Sequence, residues 1–220
     1  MRATASGEPA VFSVPPELLE RARSESVAWP REDVIERLAE STRRTQALVP
    51  AERPAALAAQ LRALDAGEAA SWVLRDADDL PDLPDLPDLA GAWVLVWHGV
   101  RALEVAAAAD SVDEVGPDRR FEVSVCPFDP LHGAAHATMR WAMRGPAAPV
   151  PACRPCPVAG SERTMPDILT ARVADGAYLP YYEVPAERSV WSATGFGAFG
   201  GDLVEQVRRA LPGGRRAVGG

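Results

Sequence analysis

WVLVWHGVRALEV, residues 93–105, is the stretch on which the fold turns. Its character is strand-like, and it predicts two strands, or a hairpin turning near His98-Gly99. Downstream, RFEVSVCPF alternates Phe121, Val123 and Val125 against Glu122 and Ser124, the pattern of a half-buried strand. HATMRWAM fits a further strand, and RGPAAPVP reads as the turn before a cysteine pair. GGDLVEQVRRAL then places Leu203, Val204, Val207 and Leu211 on one helical face, stopped by Pro212-Gly213-Gly214.

Upstream, the periodicity is helical. A short ELLERARS helix follows Ser13, Pro15 and Pro16. A second helix follows Pro30, with Val34, Ile35, Leu38, Thr42 and Thr45 on one face and Glu32, Glu36, Arg37 and Glu40 outside it. A third starts near Pro54, shows Leu57, Leu61 and Leu64 at spacings of four and three, and ends at Gly67. These stripes are expected to pack on the core or on a partner.

Between the two regimes lies DADDLPDLPDLPDLA, residues 76–90, in which Pro-Asp-Leu recurs from Pro81 to Leu89. A polyproline II helix has the same three-residue period, so the aspartates align on one face and the leucines on another. Extended in that form, the repeat spans roughly 28 Å at ~3.1 Å per residue. Its carboxylates lack the glycine turn and terminal glutamate of a calcium hand, which leaves a stiff acidic spacer. The expected fold class is α+β: a helical N-terminal region over 1–75 with 1–12 disordered, a spacer over 76–90, a small zinc-ribbon-like α+β module over 91–212, and a flexible tail over 213–220.

The net charge of −8 disfavours a nucleic-acid or anionic-membrane surface. All 23 basic residues are arginine, and they are interleaved with acids as in REDVIERLAE. No secretory h-region and no uninterrupted run of apolar residues long enough to span a bilayer is seen, so a soluble, cytoplasmic protein is expected. In a reducing compartment three cysteines point to metal or catalysis before disulfides.

VPACRPCP, residues 150–157, supplies two thiols from one turn, and CPFDPLHG supplies Cys126 and His132 around the Asp129-Pro130 turn. Cys126, His132, Cys153 and Cys156 make a plausible tetrahedral set for structural zinc, because thiolate and imidazole are its preferred donors. His136 is the rival fourth ligand. Two other readings stand beside zinc: Cys126 as a core thiol with surface histidines, and a redox pair at Cys153 and Cys156, although no strand-to-helix context of thioredoxin type surrounds them. His98 is expected at a turn and not as a ligand.

DPLHGAAHATMRW followed by PACRPC resembles the zinc deaminases, whose signature is H-x-E and then P-C-x-x-C. Thr138 stands where the proton-shuttling glutamate belongs, and Ala134 fails in the same way after His132. GFGAFG, residues 195–200, matches a dinucleotide glycine pattern, yet the chain after it lacks the following strand and acidic residue such a site needs. It is expected instead to let Phe196 and Phe199 pack beside Trp191. No G-x-S-x-G occurs.

The succession CPFDPLHG, VPACRPC, YLPYYEVP and SVWSATGFGAFGGDL, within residues 92–211, resembles a segment of uncharacterised actinobacterial proteins. Those share N-P-L-H-G, V-P-A-C-x-x-C and V-W-x-x-T-G-[FY]-G-A motifs. The resemblance implies that His132, Cys153 and Cys156 belong to a common scaffold; Asp129 stands where that segment has asparagine. The expected function is a noncatalytic, zinc-stabilised interaction or scaffold protein, with a protein partner or self-association through the N-terminal helices. The alternative is a small zinc enzyme, deaminase-like or hydrolytic, using Asp129 or Glu183 as base.

Overall fold

The computed structural model describes residues 31–47, 51–78, 86–109, 123–143, 146–154, 156–157, 167–173 and 176–210. The fold is α+β. Three long helices, α1 (Arg31–Ala47), α2 (Pro54–Asp78) and α3 (Leu86–Ala109), precede two small antiparallel sheets and two short helices. The ELLERARS segment, residues 1–12 and residues 213–220 fall outside the described residues.

WVLVWHGVRALEV, expected as two strands or a hairpin, is helix. Residues 93–105 lie wholly within α3, a helix of 24 residues. Val94, Leu95, Val96, His98, Gly99, Ala102, Leu103 and Val105 are all buried, and Trp93, Trp97 and Val100 partly so. A helix covered on nearly every side needs no polar face, so the 3.6-residue period that announces a surface helix is erased. Arg101 and Glu104 are the exposed exceptions, and they pair with each other at 2.8 Å. His98 accordingly sits in mid-helix, 7 % exposed, and not at a turn.

Of the stretch read as a spacer, residues 76–78 end α2 and residues 86–90 begin α3. Pro87 is tolerated in the first turn, where no intrahelical donor is needed. Asp88, beside it, lies where a helix N-terminus favours negative charge. α3 is also the one helix among the described residues long and apolar enough to cross a membrane by composition, and 61 % of its apolar window is buried within the protein.

α2 runs on past Gly67 to Asp78, and its interior face is alanine. Ala59 packs with Val105 and Ala106, and Ala63 with Ala102 and Leu103, which sets α2 and α3 antiparallel. Small side chains let the two backbones approach closely. Leu57, Leu61 and Leu64, expected to face the core or a partner, are 39 %, 53 % and 49 % exposed. α1 lies across this pair. Its inward residues are Leu38, Ser41 and Thr45, while Ile35 and Thr42 of the expected face are exposed. Contact is close enough that a Cβ added to Gly99 would stand 3.4 Å from Ser41 Oγ. Arg37 stacks over Trp93 at 4.9 Å, and Arg53 donates to the last α3 carbonyl, Ala109 O, at 3.1 Å.

The C-terminal part is built of short pieces. β1 (Ala137–Trp141) is the strand read from HATMRWAM. It pairs with β2 (Ala148–Ala152), a segment read as a turn that is in fact extended. Pro149 and Pro151 are tolerated there because the sheet has only two strands and a proline can face its open edge. RFEVSVCPF forms no strand within its described part, only an isolated bridge between Val125 and Ala134. β3 (Thr170–Arg172) pairs with β4 (Tyr178–Pro180), and α4 (Val190–Thr194) follows. The glycine-rich turn then leads into α5 (Leu203–Ala210), which buries Leu203, Val204 and Val207 as its pattern required.

One buried cluster joins the parts: Ala66, Ala70 and Val73 of α2 and Leu95 of α3 share it with Cys126, Phe128, Tyr181, Trp191 and Val204. At its centre Trp191 stacks on Phe196, with centroids 5.3 Å apart and planes at 12°, and donates its indole N–H to Asp88 at 2.5 Å. Phe196 holds φ +55 to reach that place and is fully buried; Phe199 is 39 % exposed. Thus GFGAFG is a packing device, in which left-handed glycines steer one phenylalanine inward.

Candidate metal centre

Cys126 enters the site from a tight reversal. Its N–H donates to Gly133 O at 3.0 Å, and Ala135 N–H to Ser124 O at 2.9 Å, so the chain closes on itself around residues 127–132. Inside that closure Asp129 accepts from Leu131 N–H at 2.9 Å and caps the 3-10 turn Pro130–His132. Gly133 takes φ +85, a conformation that a side chain would strain, and the chain can then return to its bridge. The outcome is that residues six apart in sequence face the same point. Cys153 follows the end of β2, where His136 N–H donates to Ala152 O at 2.9 Å, and Cys156 opens the next turn.

The ligand atoms of Cys126, His132, Cys153 and Cys156 all lie within 4.8 Å of one another. Cys153 Sγ is 3.3 Å from Cys156 Sγ, and Cys126 Sγ is 3.6 Å from Cys156 Sγ. His132 presents Nδ1 to the sulfurs, at 3.7 Å from Cys153 and 3.6 Å from Cys156. Its other nitrogen, Nε2, is turned toward Asp167, 3.8 Å away. The thiols are 0 %, 2 % and 2 % exposed at 126, 153 and 156, so only the imidazole edge approaches solvent. His136 is exposed and takes no part in the cluster. The arrangement is a possible metal site with a donor set of three sulfurs and one nitrogen.

Crowding these groups together shifts their protons. The hydrogen bond with Cys156 holds the Cys126 thiol down to about 3 against the opposing effect of burial, and His132 adds to the lowering. Cys156 is pushed up by the same partner and by burial. The Asp167 carboxylate, then Cys126, raise His132 to about 10 although burial works the other way. Burial raises Asp129 to about 6, against the Leu131 N–H that favours its charged form. Without metal, then, the cluster is a thiolate and an imidazolium held beside neutral thiol.

Support comes from the second sheet. Phe128 O accepts from Leu169 N–H at 2.8 Å, and Pro127 O accepts from the Tyr181 hydroxyl at 2.5 Å. Phe128 is fully buried and meets Trp141 edge-on at 5.2 Å. The loop is therefore pinned at two successive carbonyls and by one aromatic ring. Tyr181 and Asp167 have no spacing or motif that marks them for these roles in the sequence.

Comparison with protein families, with curated proteins and with solved structures returned no match. Geometry alone carries the reading of the site.

Proposed function

We propose that this is a noncatalytic, zinc-stabilised interaction protein, in which Cys126, His132, Cys153 and Cys156 close a structural zinc centre. The observation that carries the reading is the convergence of four soft or borderline donors on one point. A tetrahedral zinc with bonds of about 2.3 Å to sulfur and about 2.1 Å to nitrogen requires S···S edges of about 3.8 Å and S···N edges of about 3.6 Å. The separations of 3.6 Å between Cys126 and Cys156 and of 3.6 and 3.7 Å to Nδ1 match those edges, and the Cys153–Cys156 pair at 3.3 Å needs only a slight opening. Four protein ligands leave no open position for substrate, and sulfur burial supports a closed centre.

Neither base of the enzymatic alternative favours it. Asp129 is engaged as the cap of the Pro130–His132 turn, and Glu183 is exposed on the turn after β4. The role assigned to zinc is to tie the Cys126 reversal to the end of β2. A structural site contributes on the order of 10 kcal/mol to folding, which a domain assembled from three-residue and five-residue strands can use.

The partner is a second copy, met through the exposed leucine row of α2. Leu57, Leu61 and Leu64 follow one another at helical spacing, and a row of this kind is complementary to itself across a two-fold axis. The zinc assignment is tested by elemental analysis of the purified chain. One zinc per chain is expected, falling severely in Cys126→Ser, His132→Ala, Cys153→Ser and Cys156→Ser. Full loading of Cys153→Ser would overturn it.

A further inference from the structure

His132 is the least protected member of the Cys/His cluster. The thiols of Cys126, Cys153 and Cys156 are buried, whereas the imidazole is partly exposed. It is also the one donor of the four that would bind a metal as a neutral group, where each thiolate brings a charge. Of four bonds to a metal at this point, the one to His132 is the first that water or a competing ligand can break.

An imidazole can offer a metal either nitrogen, and the fold places the two in different company. Nδ1 lies 3.6 Å from Cys156 Sγ and 3.7 Å from Cys153 Sγ, while Nε2 lies 3.8 Å from a carboxylate oxygen of Asp167. That last separation is longer than a hydrogen bond, so the contact is electrostatic. It still discriminates between tautomers, because a carboxylate repels a lone pair on Nε2 and attracts an N–H there. Asp167 is exposed, yet the chain beside it is tied down. Ile168 packs on the core cluster, Leu169 N–H donates to Phe128 O at 2.8 Å, and Leu169 O accepts from Tyr181 N–H at 3.0 Å. The segment leading into β3 is thus anchored to the loop that carries Cys126 and His132. Asp129, the other carboxylate beside His132, is committed to Leu131 N–H at 2.9 Å.

We propose that Asp167 is a positioning residue of the metal centre: it keeps the proton of His132 on Nε2, leaves the Nδ1 lone pair on the side of the sulfurs, and so controls how slowly the metal leaves. The inference rests on the zinc reading of the cluster and deepens it. A carboxylate behind a ligating imidazole fixes the ring and makes its other nitrogen the stronger donor. Here it acts on the one ligand that solvent can reach, where a stronger bond does most to slow exchange.

The test is the rate at which the zinc-loaded full chain gives up its metal to an excess of a chromophoric chelator at fixed pH. Asp167→Ala should start with the same zinc content as the parent, since an exposed side chain is removed, and should release it about tenfold faster or more. Glu187→Gln deletes a carboxylate from the exposed turn before α4 and should release zinc at the parent's rate. Long-range proton–nitrogen correlation spectra of the zinc-loaded parent should show His132 protonated at Nε2 and bound through Nδ1. Asp167→Ala should shift the Nε2 resonance with Nδ1 still bound, a change that loss of general stability would not produce. The two ways of failing are distinct. A parent that holds no zinc would overturn the metal reading and this inference with it. A zinc-loaded parent bound through Nε2, an Asp167→Ala variant that releases zinc at the parent's rate, or an equal acceleration in Glu187→Gln would overturn the role of Asp167 alone.

Discussion

The Tyr181 hydroxyl donates to the carbonyl of Pro127 at 2.5 Å, joining the end of the second sheet to the residue next to Cys126. Tyr181 is fully buried, and its ring also meets Phe196 at 4.8 Å. Removing the hydroxyl leaves a buried carbonyl unmatched while the ring packing survives. Tyr181→Phe should therefore lower stability by about 1–3 kcal/mol. Urea denaturation should show a lower midpoint with an unchanged slope, and zinc stoichiometry should be retained. A midpoint equal to that of the parent would show that the hydroxyl is not part of what holds the loop.

Metal uptake should release protons and should strengthen as pH rises. His132, raised to about 10, is cationic at neutral pH in the metal-free chain, and Cys156 is a neutral thiol. Both must lose a proton to become ligands. In the metal-free protein the signs are opposed. The stability from His132 is complete below its ordinary 6.5 and is lost as pH rises through about 10. That from Cys126 is present above its ordinary 9.0 and is lost as pH falls through about 3. Titrating zinc calorimetrically in buffers of different ionisation enthalpy measures the proton count directly. Zero release at pH 7 would contradict this account of the cluster.

The Cys/His cluster was legible in the sequence because chemistry restricts it: with three cysteines and three histidines in the chain, few sets could assemble. Cys126 and His132 were readable as a pair from the Asp129-Pro130 turn, and that turn does fold them together. α3 was not legible, because burial all round removes the polar face by which a helix declares itself. α2 misled for a related reason. Leucine is the more hydrophobic residue, but alanine is what two closely packed backbones admit, so the leucine stripe, expected on the core or on a partner, does not face the core. Whether Pro149, Val150 and Pro151 would be turn or strand depended on pairing with Arg140, Met139 and Thr138 of β1, partners that local sequence does not specify.

Two glycines of neighbouring helices should respond oppositely to the same substitution. A Cβ at Gly91 would fall 2.2–2.4 Å from the Trp191 ring, which is stacked, hydrogen-bonded and 2 % exposed. The ring has nowhere to retreat, and Gly91→Ala should cost about 1–3 kcal/mol or more through overpacking. Gly67 lies within α2 with nothing near its would-be Cβ. Gly67→Ala should stabilise by about 0.5–1 kcal/mol through backbone entropy and helix propensity. Thermal midpoints of the two variants should move apart from the parent in opposite directions. A tolerated Gly91→Ala would mean that Trp191 does not rest on α3 as described.

The exposed leucines of α2 give the remaining prediction. A single exposed leucine is unremarkable, but Leu57, Leu61 and Leu64 share a face and leave an apolar strip with no cover from the described residues. Arg208 of α5 holds Asp65 at 2.7 Å and reaches Glu68 at 3.4 Å, so the two acids that follow that row on α2 are paired with α5. Pairing two copies would bury the strip without stranding those charges. Light scattering at micromolar to hundred-micromolar concentration should find a concentration-dependent dimer. The triple variant Leu57→Gln, Leu61→Gln, Leu64→Gln should be monomeric, with helix content and zinc content unchanged because glutamine is a good helix former and the row lies away from the core. A parent protein that stays monomeric throughout that range, or a triple variant that still dimerises, would remove self-association through α2.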